Sequence, residues 1–198
     1  RAIGVGYPEH YHLAFDANNL RLALLWQGAF IDASKHWEGR GPGFQGPAGQ
    51  KVLRFPEQAS FARLAAEDES WPSAAPRENG WKFHGYRLTE DQRPTFLYEL
   101  DGVKFEEFPT PVLRGAEGSL VRTFELSANK TESNLWFRAA TGGSIEPAEG
   151  GWFNIDGQYR VRIEGGTPKV RSSGGKQELL VPVAFASGKA RLVQEIQW

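Results

Sequence analysis

Between Trp81 and Leu126 the chain passes from strand-like run to turn and back with almost no interruption. Residues 82–88, 95–100 and 103–108 change character at nearly every position. That is the period of a half-buried β-strand, not of a helix. Asp101-Gly102 sits between the last two runs. Both residues tolerate positive φ, so the dipeptide predicts a two-residue type I′ hairpin. The register follows: Leu100 opposite Val103, Glu99 opposite Lys104 and Leu97 opposite Glu106. A chain organised this way is antiparallel β, and one face of these strands must meet a core.

The same alternation extends outward. Runs at residues 2–7, 11–16, 20–26, 29–33 and 52–55 come earlier, and runs at 119–127, 134–140, 151–155, 159–164, 177–185 and 190–197 come later. Asp156-Gly157 predicts a second hairpin, between 152–155 and 159–163. Leu20, Ala23 and Leu24 also fit helical spacing, but Gly28 and the flanking strands favour a strand. Residues 39–47 (Gly-Arg-Gly-Pro-Gly-Phe-Gln-Gly-Pro) form a loop. Residues 60–69 hold the best helical pattern, with Ser60 as cap, Phe61, Leu64 and Ala65 on one side, and Pro72 and Pro76 ending it. A dozen or more strands with at most one or two short helices exceeds the roughly seven of an immunoglobulin-like domain. The expected fold is all-β: one large antiparallel two-sheet sandwich over residues 1–198, of the kind seen in galactose-mutarotase-like proteins, with a loop-rich insertion around residues 38–80. A closed barrel is the alternative.

Composition agrees and removes several functions. The 23 Gly and 12 Pro suit many tight turns, while 7 Trp and 13 Phe supply core volume. Lys and Arg total 23 against 24 Asp and Glu, with no basic run, which argues against nucleic-acid binding. There is no Cys, so disulfides, thiolate metal sites, Cys nucleophiles and Cys-x-x-Cys-His haem attachment are excluded within the chain, and no cofactor is expected in it. No apolar run approaches the ~18 residues of a membrane span. The chain opens at Arg1 and contains no Met, which predicts either processing or a piece of a longer polypeptide.

Several groupings invite chemistry. His10 and His12 lie two apart, so in a strand both imidazoles share a face and could hold a metal, with His36 or His84 and Asp16 completing the site. His12, His84, Asp16 and Glu99 are the candidates for acid/base work of the sugar-epimerase or lyase kind. Against this, Asp16 suits the turn before Asn18, and Glu99 suits a charge pair with Lys104. Glu106 and Glu107 point to opposite faces and cannot act together. Trp26, Trp37, Phe44, Trp71 and Trp81 cluster in or beside the loop-rich region. Trp26, Trp37, Arg40, Phe44 and Trp81 form the candidate ligand-binding set, rings for a sugar face beside the polar Asp32 and Glu38. The competing reading makes these rings core anchors for the loops. Ser34-Lys35-His36 lacks a nucleophile elbow, and Asn129-Lys130-Thr131 is a glycosylation sequon.

The run Arg1-Ala2-Ile3-Gly4-Val5-Gly6-Tyr7-Pro8 continues through Phe15-Asp16-Ala17, Leu20-Arg21-Leu22, Trp26-Gln27-Gly28-Ala29-Phe30-Ile31-Asp32 and Trp37-Glu38-Gly39-Arg40-Gly41. Phe83-His84-Gly85-Tyr86-Arg87-Leu88, Pro94-Thr95-Phe96-Leu97-Tyr98-Glu99-Leu100-Asp101-Gly102-Val103 and Leu120-Val121-Arg122-Thr123-Phe124 follow. Together they resemble a region of the large exported haem-binding proteins of planctomycetes and verrucomicrobia, which join c-type cytochrome domains to sugar-dehydrogenase-like propellers. The resemblance implies a periplasmic or extracellular β module working beside haem-c-containing or dehydrogenase domains, and it carries over no catalytic residue. The expected function is a non-catalytic module binding such a partner domain or a carbohydrate-like ligand. The alternative is a carbohydrate-active enzyme on the same sandwich.

Overall fold

The computed structural model describes residues 2–37, 39, 45–115, 117–129 and 132–198. Sixteen strands follow one another through them. They are β1 (Ala2–Val5), β2 (Tyr11–Asp16), β3 (Arg21–Gln27), β4 (Gln50–Arg54), β5 (Phe61–Arg63), β6 (Trp81–Leu88), β7 (Pro94–Leu100) and β8 (Val103–Arg114), then β9 (Glu117–Ala128), β10 (Leu135–Gly142), β11 (Ile145–Ala148), β12 (Trp152–Ile155), β13 (Tyr159–Glu164), β14 (Lys169–Ser173), β15 (Lys176–Pro182) and β16 (Lys189–Gln197). Helical residues among those described are confined to short 3-10 turns at Ser34–Trp37, Pro76–Asn79 and Glu149–Gly151.

The strands build one eight-stranded sheet, ordered β11-β12-β13-β16-β9-β8-β7-β6, and two four-stranded sheets, β1-β2-β3-β4 and β14-β15-β10-β5. Both small sheets cover the same face of the large one. Phe96, Glu107 and Phe124 are cross-strand neighbours and therefore share a face. Phe15 of the first small sheet stacks on Phe96 at 4.0 Å between centroids, and Phe137 of the second meets Phe124 at 5.0 Å. Leu13, Phe15 and Leu25, then Phe61, Phe137 and Val181, join Phe96, Phe105, Phe124 and Ile196 in one buried cluster. The sandwich therefore has one layer made of a single broad sheet and an opposing layer split in two.

The first hairpin has the expected register: Leu100 pairs with Val103, Glu99 with Lys104 and Leu97 with Glu106. Asp101 and Gly102 take φ of 47° and 84°, the two left-handed positions a type I′ turn requires. At the second hairpin Ile155 pairs with Tyr159, so the loop holds one more residue, Gln158, whose N–H donates to the Ile155 carbonyl at 2.9 Å.

Three expectations change. Residues 60–69 do not form a helix: β5 pairs with β10, Phe61 opposite Phe137. Phe61 points into the main core, whereas Ala62 and Leu64 join Trp71 and Leu180 in a second cluster. The apolar residues serve two opposite faces, which is strand behaviour. Residues 29–33 supply only the bridge Ile31–Pro47, because Trp26 draws the carbonyls of Ala29 and Phe30 to its indole N–H. Finally, β11 and β14 are short border strands. Ile145-Glu146-Pro147-Ala148 and Lys169-Val170-Arg171-Ser172-Ser173 offer too little alternation to read.

The opposite border of the large sheet is β6. A bulge at Gly85 (φ 105°) interrupts its pairing, and it exposes Tyr86 and Leu88.

Candidate functional site

The acid/base candidates separate. His12 is buried, and its Nδ1 accepts the Tyr7 backbone N–H at 3.1 Å while its Nε2 lies 2.8 Å from the Gly28 carbonyl and donates to it. Both ring nitrogens are thus committed to backbone, leaving no lone pair for a metal. His10 sits in the preceding turn at φ 62°, its ring centroid 6.4 Å from that of His12, and His36 is exposed on a 3-10 turn. Among the described residues no group of three or more His, Cys, Asp or Glu side chains is placed to hold a metal.

Asp16 accepts the N–H groups of Asn18 and Asn19 at 3.0 and 3.3 Å and the Asn19 side-chain amide at 2.6 Å, with Arg21 3.5 Å away. Burial pushes its carboxyl pKa up, but these bonds and the guanidinium outweigh burial and hold it below the usual range. It anchors the β2–β3 turn. His84 and Glu99 meet at 3.4 Å on β6 and β7, on the face turned away from the core. His12 and Asp16 therefore belong to a small sheet, and His84 and Glu99 to the outside of the large one.

The aromatic set also divides. The buried Trp26 braces the turn after β3, donating to Ala29 and Phe30 at 3.0 and 2.9 Å. Trp81 packs in the core on Tyr98 and Phe105, and Trp71 is buried beneath the Arg138 guanidinium at 4.6 Å. Trp37 is 87% exposed. Arg40 and Phe44, with Glu38 and the Lys130 and Thr131 of the sequon, lie outside the described residues. Trp26 and Trp81 are core anchors, so the expected five-residue platform does not exist as one surface.

A different arrangement emerges where β13 and β16 of the large sheet approach β2, β3 and β4. An open cleft of about 870 Å³ is walled there by the β11–β13 meander and the ends of β9 and β16. Trp198 forms one side, and its ring is fixed: Nε1 donates to the Lys51 carbonyl at 2.7 Å, Tyr11 meets it edge-on at 5.5 Å, and its carbonyl accepts the Gln27 amide at 3.1 Å. A polar chain crosses the floor, with Arg160 Nε donating to Gln197 Oε1 at 2.7 Å and Gln197 Nε2 to Glu117 Oε2 at 2.9 Å. Trp152 supports Arg160 from beneath at 4.6 Å. On the far side Asp156 accepts the Ser144 N–H at 2.7 Å and ties the two loops together. Gly142 is required there, since a Cβ would lie 2.6 Å from Asp156 Oδ2. The side chains of Asn154 and Gln158 line the cleft with no bond to another described residue.

The cleft therefore presents a half-buried indole, planar amides free to donate and accept, and Glu117, Glu146 and Asp156 against a single Arg160. That mixture suits a hydroxyl-rich ligand with one apolar face. Asn154 and Arg160 pair across the predicted second hairpin, so their shared face follows from that hairpin. Trp198 joins the site only through tertiary contacts with another sheet, and nothing local marks it.

A second polar feature lies inside the sandwich. Glu107, which the alternation turns inward while Glu106 stays outside with Arg87, accepts Tyr98 Oη at 2.9 Å and Arg122 Nε at 2.8 Å. Arg122 also donates to Gln194 Oε1 at 2.6 Å, and Gln194 passes a bond to the Ala139 carbonyl at 2.7 Å. Burial above all, and then Glu107, holds the Tyr98 phenol well above its ordinary pKa, so it remains a donor. Residues 13–107 match the family model of a domain of unknown function (DUF6797), which takes in just under half of the chain and none of the residues that line the cleft. No curated protein matches the chain.

Proposed function

We propose that this chain is a non-catalytic β-sandwich module that binds a carbohydrate-like ligand in the Trp198 cleft. The observation that carries this reading is the pinned indole facing unpartnered amides: one hydrophobic plane for a pyranose ring, with Asn154 and Gln158 ready to take its hydroxyls. His12 and Asp16 are committed to backbone and turn, and His84 and Glu99 pair on the outer face of the large sheet away from the Trp198 cleft. This supports the non-catalytic part, because acid/base chemistry needs its groups within hydrogen-bond reach of one reacting centre. The resemblance to exported haem-binding proteins supports a setting outside the cytoplasm beside electron-transfer domains. Any covalently attached haem would belong to those domains, since this chain has no Cys.

The test is a titration of the protein with a panel of neutral oligosaccharides, followed by tryptophan fluorescence and calorimetry. At least one member should give a saturable signal. Trp198→Ala should abolish that signal in a protein that still melts cooperatively, at a lower temperature because the Lys51 bond and the Tyr11 contact are lost. Asn154→Ala should weaken affinity about tenfold, the worth of one lost hydrogen bond. A panel without any saturable binding, or binding unaltered by Trp198→Ala, refutes the assignment.

A further inference from the structure

Where the three sheets meet, a hollow of about 40 Å³ is lined by Arg21, Arg122 and Arg138, from β3, β9 and β10. The remaining polar lining is Ser60, Thr141, Tyr159 and Gln58, whose Oε1 accepts from Arg138 Nη2 at 2.6 Å, and no Asp or Glu lines it. Each arginine does have a carboxylate, but from outside the hollow. Asp16 is 3.5 Å from Arg21, Glu107 is 2.7 Å from Arg122, and Glu178 is 2.8 Å from Arg138. The walls are consequently donor-rich and positive, and the compensating charge stands behind them.

Arg21 adds an independent observation. It is 9% exposed, and its Nε is buried with no protein acceptor. NH1 donates to the Phe55 carbonyl at 2.9 Å. A guanidinium donor held in a low-dielectric interior favours an acceptor, and a charged one most of all. The size narrows the choice. One water needs about 10–15 Å³ of such space, so this hollow has room for about three waters, or one small ion with part of its hydration, and not for a tetrahedral oxyanion with its own hydration.

We propose that this hollow is a binding site for one small monovalent anion of halide size, held by Arg21, Arg122 and Arg138. The anion would accept first from Arg21 Nε, the buried donor without a protein acceptor, and from arginine protons not already taken by Glu107, Gln194, Glu178 and Gln58, and would supply a negative charge where three sheets join. It would therefore act as a structural ion that binds the folded chain alone. The hollow shares only Tyr159 with the Trp198 cleft, and either reading can fail without the other.

The experiment is thermal unfolding of halide-free protein at constant ionic strength, with chloride or bromide exchanged for gluconate or sulfate. A saturable rise of about 5 °C with either halide, absent with gluconate and sulfate, is the expected result, since a ligand of the native state alone stabilises by mass action. General salt effects would instead rank sulfate highest and would not saturate. Crystals grown in bromide should show an anomalous peak in the hollow. Thr141→Val, which leaves every arginine–carboxylate pair in place, should shift the halide midpoint upward severalfold. A melting temperature indifferent to halide, or ordered water without an anomalous peak, would overturn the proposal.

Discussion

Glu107 and Arg122 are a charged pair that folding removes almost wholly from water, at 1% and 4% exposure. Their attraction offsets the desolvation because Tyr98 adds a hydrogen bond to Glu107 and Gln194 accepts one from Arg122. Glu107→Gln should cost about 3–5 kcal/mol, since it leaves the Arg122 charge uncompensated. The double replacement Glu107→Leu with Arg122→Met should recover most of that loss. Urea unfolding of Glu107→Leu, Arg122→Met and the double variant measures the coupling, and additive losses would contradict it. Acid should weaken the fold through Glu195 and Asp16. In Glu195 burial raises the pKa, but bonds from Ser119, Arg114 and Arg162 outweigh it and lower the value, as the turn bonds do for Asp16. Both groups are thus more acidic folded than unfolded, so their contribution is complete above the unfolded value of about 4 and is lost as pH falls through the folded ones. The melting temperature should be flat on the acid side of neutrality and drop below about pH 4, whereas a profile level to pH 3 would refute the assignment. Asp16 could be read from sequence because its partners are two and three residues away. Glu107 could not, because its partner is set by the β8–β9 register.

The hairpins were legible for the same reason of locality. Asp101-Gly102 carries its turn geometry in two residues, and the pairing of six further residues follows from it. Gly102, at φ 84°, is replaceable only with strain, so Gly102→Val should cost about 1–2 kcal/mol with an unchanged denaturant slope. A neutral effect in equilibrium unfolding would mean that the turn relaxes at no cost. By contrast, β5 is three residues long, and in so short a run an alternating pattern and a helical one both fit. Strands β11 and β14 draw their order from neighbours: Ile145 to Ala148 pair with β12, and Lys169 to Ser173 with β15. Their own side chains specify little. The cleft shares this character, since its polar face belongs to one predicted hairpin while Trp198 reaches it from the last strand of the large sheet.

At the scale of the molecule, the family match and the folded unit do not coincide. Residues 13–107 omit β1, β9 and β10, the partners of β2, β8 and β5 respectively. A fragment with those limits would expose three strand borders and lose Phe124, Phe137 and Ile196 from the core. It should lack a cooperative melting transition by circular dichroism, while residues 2–198 should unfold in one step; a folded 13–107 fragment would show that the sandwich is divisible. The broad sheet also has to stop somewhere. On its β6 side it stops with Lys82 and Arg87 alternating around the kink at Gly85, beside the solvent-facing Tyr86 and Leu88. A bent backbone, with the charges of Lys82 and of the Arg87–Glu106 pair beside it, denies a flat template to further copies, so a polypeptide this rich in extended segments is protected against fibrillar stacking along this border.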